Sequence, residues 1–357
     1  MKKALLVLLL AGSMGAAYAQ TSGGTPSRDL VAEGVKLYDQ GKYAEAVAKY
    51  QQVLASAPND ELALSELALA YSALGRDAET VEICQKLLKA KPDSDVMVYV
   101  TLGNSLDALK KPKEAIRVYE QGLKHHPDSY ALYFNEGVAQ ATSGQVAASV
   151  GSFQQSVALS PGHTSSHMSL GVMQLSNQAR VPGILAMSRF LVLEPRGARA
   201  TQRLPMLDKA MSQGVSQTGE KDVTINISSA ALSGSNGKSK GPDNFGPVEL
   251  MLSLSAANAL TKDSKSTSNI ERFAKQFGDL CQTLGELSNN QQGFTWNYYV
   301  PYFVEMEKKG FVPAFAYLSH ASQTDVPEVQ QWLTAHPTEV QVFQEWSKNY
   351  AWPKAIH

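Results

Sequence analysis

Apolar, small and turn-forming positions recur along the first half of the chain at a fixed interval. Proline stands at 58, 92, 127, 161 and 195, at intervals of 34, 35, 34 and 34 residues. Eight residues before each proline comes a bulky or soft side chain: Tyr50, Cys84, Tyr119, Phe153 and Met187. Gly34, Gly103, Gly137 and Gly171 repeat in one phase, and Gly41, Gly75 and Gly144 in another. A period of this length is the signature of two-helix units, each hiding its apolar face against the next.

The chemistry of each position supports that reading. Glycine weakens a helix by about 1 kcal/mol relative to alanine, so its return in mid-helix calls for a packing reason, the close approach of two helices. Ala46 and Ala115 serve the same purpose in the second helix of their units. Tyr50 and Tyr119, four residues on, lie on the same face one turn later. Gly41, Gly75 and Gly144 suit the left-handed turn that ends a helix, and the prolines end the second helix of each unit. Asn59-Asp60, Asp93-Ser94, Asp128-Ser129 and Thr164-Ser165 follow the prolines and can cap the next helix. In the fifth unit Val181-Pro182-Gly183 disturbs the second helix, which is expected over 185–193 and loosely held.

Beyond the repeats the pattern changes. Residues 196–213 are expected to form a helix, centred on 198–212, that caps the last apolar face. From 214 to 246 the composition turns to Ser, Gly, Asn and Lys, the mark of a flexible connector. Within it Asp222 to Ile227 alternates like a strand, but no partner strand is evident. Residues 247–357 read as a helical, aromatic-rich C-terminal domain, with helices expected at 248–260, 270–287, 301–309, 312–320, 326–336 and 338–350. Ile270, Phe273, Phe277, Leu280, Cys281 and Leu284 form an amphipathic stripe. All four tryptophans lie here, and the aromatic run 294–303 reads either as the core of this domain or as an exposed docking surface.

The chain begins Met1-Lys2-Lys3, runs apolar from Ala4 to Leu10, and reaches Ala17-Tyr18-Ala19. This is the layout of a signal peptide over 1–19, with Gln20 the first mature residue. The apolar run falls short of the roughly 20 residues that span a bilayer. The expectation is an exported protein of the periplasm, the cell envelope or the medium, with no integral membrane segment after cleavage. A net charge of −1 gives no reason to expect a nucleic-acid partner. Of the two cysteines, Cys84 falls at a helix interior position and reads as a small buried hydrophobe.

No catalytic constellation emerges. His163 and His167 are four residues apart, but no acidic residue lies between them as a zinc-protease motif would require, and they read as solvated. His125-His126 suits the C-terminal end of a helix. Neither a nucleophile elbow nor a phosphate-binding glycine loop occurs. No enzyme activity and no cofactor or metal are expected.

The units at 27–195 resemble the tetratricopeptide repeat: a small residue in the middle of the first helix, an alanine followed four residues later by an aromatic in the second, and a terminal proline. The resemblance implies an all-α fold, an α-solenoid of about five repeats, followed by the connector and the C-terminal helices. It also implies a concave groove lined by the first helices, here by Val31, Val35, Tyr38, Leu69, Asn104, Phe134, Asn135, Val138 and Met168 among others. The family's peptide-carboxylate clamp needs lysine and arginine. Asn104 and Asn135 match its two asparagines, but Val100, Ser165 and Ser166 stand where the cations belong, and a carboxylate without charged donors loses its strongest hydrogen bonds. A non-enzymatic scaffold that binds a protein or peptide is the leading expectation. Two alternatives stay open. The C-terminal half could bind a small ligand or catalyse a reaction, with the repeats as recruitment arm. Or residues 290–350 could fill the groove.

Overall fold

A computed structural model describes residues 26–217, 223–225, 243–258 and 268–353. The expected signal segment and most of the 214–246 connector lie outside the described residues. The chain divides into two compact units, residues 1–127 and 128–357.

The first unit holds three antiparallel helix pairs: α1 (Pro26–Asp39) with α2 (Tyr43–Ser56), α3 (Glu61–Ala73) with α4 (Asp77–Ala90), and α5 (Val96–Ala108) with α6 (Pro112–His125). The mid-helix glycines do what their recurrence implied. A Cβ at Gly34 would run into the Tyr50 ring, and one at Gly103 into the Tyr119 ring. The turn glycines Gly41 and Gly75 have φ of 75° and 71°, while the third repeat places Lys110 in the same left-handed conformation at 64°. Asp60 caps α3 by accepting from the Ala63 N–H, and Asp95 caps α5 by accepting from Met97. Thus Asp95, rather than Asp93 or Ser94, is the cap of the third repeat.

The second unit continues with α7 (Tyr130–Thr142) and α8 (Val146–Leu159), then α9 (Thr164–Ser176) and α10 (Arg180–Leu193). Gly137 meets Phe153 as expected, since a Cβ there would lie only 2.8 Å from the ring, and Gly171 lies against the Met187 backbone. Ser129 caps α7, but His163 precedes α9 without a side-chain cap, so Thr164 and Ser165 do not serve in that role. The helix expected to be loose is the opposite. α10 starts five residues earlier than 185, and every residue from Arg180 to Val192 is buried. Pro182 falls in its first turn, where backbone N–H groups have no intrahelical partner to lose.

α11 (Ala198–Ser212) packs on α10. A short antiparallel ladder follows, β1 (Val215–Gln217) with β2 (Val223–Ile225), in which Val215 pairs with Ile225. The strand expected to stand alone therefore has a partner, one too short to show alternation. Among the described residues six further helices follow in this unit: α12 (Gly246–Asn258), α13 (Asn269–Leu287), α14 (Phe294–Lys308), α15 (Val312–Ser319), α16 (Pro327–Ala335) and α17 (Pro337–Lys348). α13 opens on a capping box between Ser268 and Glu271 and buries the stripe from Ile270 to Leu284. α14 begins seven residues before the expected start at Pro301. The Asp243 carboxylate accepts from the Thr295 and Trp296 N–H groups and so nucleates that earlier turn. Pro301 and Asn297 both face solvent, so the Asn297 carbonyl that loses its helical donor can turn to water.

One core runs through this unit. It joins Phe153, Leu170 and the apolar side chains of α10 from Val181 to Val192 to Phe277, Trp296, Tyr299, Phe303 and Phe315. α11 is covered in turn by α12 and α13, so it lies inside the unit rather than closing an end.

Candidate functional site

In the first unit the expected groove residues are half-exposed or just beneath the surface. Val31 belongs to the core itself, at 5% exposure. Val35 and Tyr38, one turn apart on α1, are half-buried against that core, and Leu69 on α3 is also half-buried. Leu62, at the start of α3, stands 54% exposed. Asn104 is engaged from within its own repeat, accepting from the Tyr119 hydroxyl at 2.8 Å.

Tyr38 belongs to an acidic and aromatic corner. Its ring tilts against Tyr43 at 5.0 Å between centroids. Tyr50 crosses beneath, completely buried, and its hydroxyl lies against the Glu66 carboxylate of α3 without closing a hydrogen bond of ordinary geometry. Burial raises the Glu66 carboxyl above its usual range. The like charge of Asp39 raises it further, while Tyr50 pulls it back.

In the second unit Phe134, Val138 and Met168 pack on the shared core, to which α14 contributes Trp296, Tyr298 and Tyr299. Asn135 donates back to the Ala131 carbonyl of its own helix at 2.8 Å. Ser166, one of the places where the carboxylate clamp wants a cation, is buried and bonded to Ser156. The two histidines expected to be solvated are buried, at 9% exposure for His163 and 0% for His167. His163 packs against the Tyr130 and Phe134 rings of the preceding repeat, whereas His167 meets the Tyr299 and Trp352 rings of the C-terminal segment, which no repeat spacing reveals. His167 Nε2 faces the Pro161 carbonyl at 3.0 Å, so its Nδ1 accepts from the Tyr299 hydroxyl at 2.6 Å. Burial drives the His167 pKa down to about 3 and that of His163 to about 4, so both are neutral at ordinary pH.

Two buried arginines extend this polar fastening. Arg180 of α10 donates to the Ala210 and Met211 carbonyls at the end of α11 and to Ser253 of α12. Arg189 donates to Ser347 of α17 at 2.6 Å, with the Tyr302 and Trp352 rings 5.2 and 5.0 Å from its guanidinium carbon. Tyr298 donates to the Val157 carbonyl at 2.6 Å. The aromatic run 294–303 is therefore core and not a cleft lining. Sequence reasoning missed the two arginines, whose only signal was a charge inside an apolar helix.

Cys84 and Cys281 are free and buried, and burial pushes the Cys84 thiol up to about 12, as suits an inert packing residue. Among the described residues no group of three or more His, Cys, Asp or Glu is placed to hold a metal ion. None of the described helices is long and apolar enough to cross a membrane.

Two tetratricopeptide-repeat family models match the chain, at residues 37–98 and 100–164. These residues form tetratricopeptide repeats. The chain is 31% identical over 99 residues to the Hsp70-Hsp90 organising protein of Plasmodium falciparum, a match covering 28% of this chain and 39% of that protein. It is 32% identical over 95 residues to Hsp70-Hsp90 organizing protein 3 of Arabidopsis thaliana, covering 27% of this chain and 17% of that one. The chain thus spans well under half the length of these relatives. A crystallised tetratricopeptide-repeat protein from Thermus thermophilus matches at 21% identity and a TM-score of 0.44, covering 51% of this chain and 98% of that one.

Proposed function

We propose that this protein is a non-enzymatic interaction scaffold, exported from the cell, that captures a protein or peptide on the first-helix faces of its tetratricopeptide repeats. The observation that carries the reading is apolar surface left uncovered on those faces in the first unit: Leu62 is 54% exposed, and Val35, Tyr38 and Leu69 are half-buried. Exposed apolar side chains grouped on one element are characteristic of protein-binding surfaces. The names of the relatives point to protein partners as well. The carboxylate clamp that the family resemblance would imply is disfavoured in this reading, because Val100, Ser165 and Ser166 supply no cation for a carboxylate. Phe134, Asn135, Val138 and Met168 would contribute only at the edges of the core they support, and Asn104 through its contact layer. Export rests on the layout of residues 1–19.

The groove reading is tested by replacing Val35 and Leu69 with arginine in the full chain. Capture of a binding partner from cell extract should be lost while helicity by circular dichroism is kept; undiminished capture would contradict the proposal. Export is tested by sequencing the N-terminus of the protein made in a bacterial host. Gln20 is the expected first residue, and retention of Met1 would remove that part of the proposal.

A further inference from the structure

Arg189 of α10 is only 3% exposed, yet among the described residues no aspartate or glutamate forms an ion pair with it. Its Nη1 donates to Ser347 and Tyr302, but the buried Nε–H has no acceptor. A buried cation without an anion is costly, and a charge-assisted bond to a carboxylate would offset that cost. The indole of Trp352 lies over this guanidinium, 5.0 Å from its carbon. It also stacks on Tyr298 and Tyr302, one helical turn apart on α14, with centroids at 4.7 and 4.9 Å. Trp352 belongs to residues 350–353, which follow α17 without helix or strand. No hydrogen bond joins these four residues to the other described residues, and Trp352 is only partly buried. A segment held by ring contacts alone opens at low cost.

We propose that Trp352 is a gate, and that the place it fills binds a small aromatic carboxylate when the gate opens. The ligand's ring takes the position of the indole on Tyr298 and Tyr302, and its carboxylate accepts from the Arg189 Nε–H. The planar shape follows from the present occupant, and the negative charge from the guanidinium that lacks an acid. The two tyrosines are core while Trp352 covers them and become a wall of the site when it leaves. His167, whose ring lies 6.3 Å from that of Trp352, has both nitrogens committed, Nδ1 to Tyr299 and Nε2 to the Pro161 carbonyl, so it offers no competing donor. This site goes beyond the groove reading and does not rest on it, since it lies in the second unit and takes a small molecule. A ligand that binds only the open gate has its affinity reduced by the fraction of molecules that are open.

The test is calorimetric titration of the full-length protein with phenylacetate as probe and phenylacetamide as its neutral counterpart. The acid should bind about tenfold more tightly than the amide, the difference expected of one charge-assisted hydrogen bond. Trp352→Ala removes the gate and should tighten binding of the acid about tenfold, the correction for a gate open in about a tenth of molecules. Trp332→Ala, at a tryptophan stacked instead on Tyr317 and His336, should leave binding unchanged. Arg189→Met should abolish the preference for the acid. Because that change also unties Ser347, wild-type protein labelled with fluorotryptophan gives a second reading. Saturating phenylacetate should shift the fluorine resonance that Trp352→Phe removes and leave that of Trp332 in place. Equal affinity for acid and amide, no gain from Trp352→Ala in a protein of native circular dichroism, an unmoved Trp352 resonance, or no binding by either protein would each overturn the gated site.

Discussion

The same two-helix unit is put to different uses in the two halves of this molecule. In residues 26–127 three repeats close their seams with a small-residue and aromatic fit, seen at Gly34 against Tyr50 and Gly103 against Tyr119, and leave apolar side chains such as Leu62 outside. In residues 128–353 the repeats keep the glycine–aromatic fit at Gly137 and Phe153 but surrender their outer faces to other helices. α10 is buried from Arg180 to Val192, as no helix of an isolated array would be, and its polar residues reach outward to α11, α12 and α17. A repeat can thus be a binding module or a building block. Which it becomes depends on whether a later segment can satisfy its surface.

The comparison can be broken most severely inside the shared core. Phe190→Ala deletes a fully buried ring from α10 and should cost about 3–5 kcal/mol. Calorimetry should show the loss in the transition of the second unit alone, with the first unit melting as before.

Acid should separate the two units next. His163 and His167 have folded pKa values of about 4 and 3, below the ordinary value of 6.5. The unfolded chain therefore binds more protons than the folded one between those values. The stability that neutral histidines give is complete above about pH 6.5 and drains away as pH falls toward 4 and 3, by about 3 kcal/mol for His163 and about 5 kcal/mol for His167 at the limit. Glu66 has the opposite sign. Its raised folded pKa means that acidification relieves a penalty in the first unit and that the penalty returns as pH rises through that pKa. Urea titrations between pH 7 and pH 4 should show the second unit losing stability faster than the first; parallel losses would contradict the buried placement of the histidines.

Overpacking gives a smaller effect in the first unit. Gly103→Leu drives a side chain into Tyr119 and should cost about 1–3 kcal/mol, read in the first transition only. The smallest effect runs the other way. Lys110 holds φ of 64° where the first two repeats use glycine, so Lys110→Gly should stabilise the first unit by about 1 kcal/mol.

Local features were legible in the sequence where their causes are local. The helix pairs, the turn glycines and the glycine–aromatic contacts follow from spacing, because each involves neighbours in one repeat. Two classes of feature were not legible. Pro182 and Pro301 suggested late helix starts, yet α10 and α14 both begin earlier, because a first-turn position and an Asp243 cap remove the local objection. His163 and His167 looked like surface residues because a single repeat would leave them there. His163 packs against Tyr130 and Phe134 of the preceding repeat, and His167 meets Tyr299, 132 residues further on. Of the expected lining positions of the first unit, Val35, Tyr38 and Leu69 are half-buried, whereas Val31 lies in the core.

Repeats four and five share one core with the C-terminal helices. Amide hydrogen exchange of the full chain, compared with Tyr299→Ala, tests this directly. Residues 164–193 should lose protection together with 294–303, while residues 26–125 exchange as in the wild type. Unchanged protection of 164–193 in the variant would contradict the shared core.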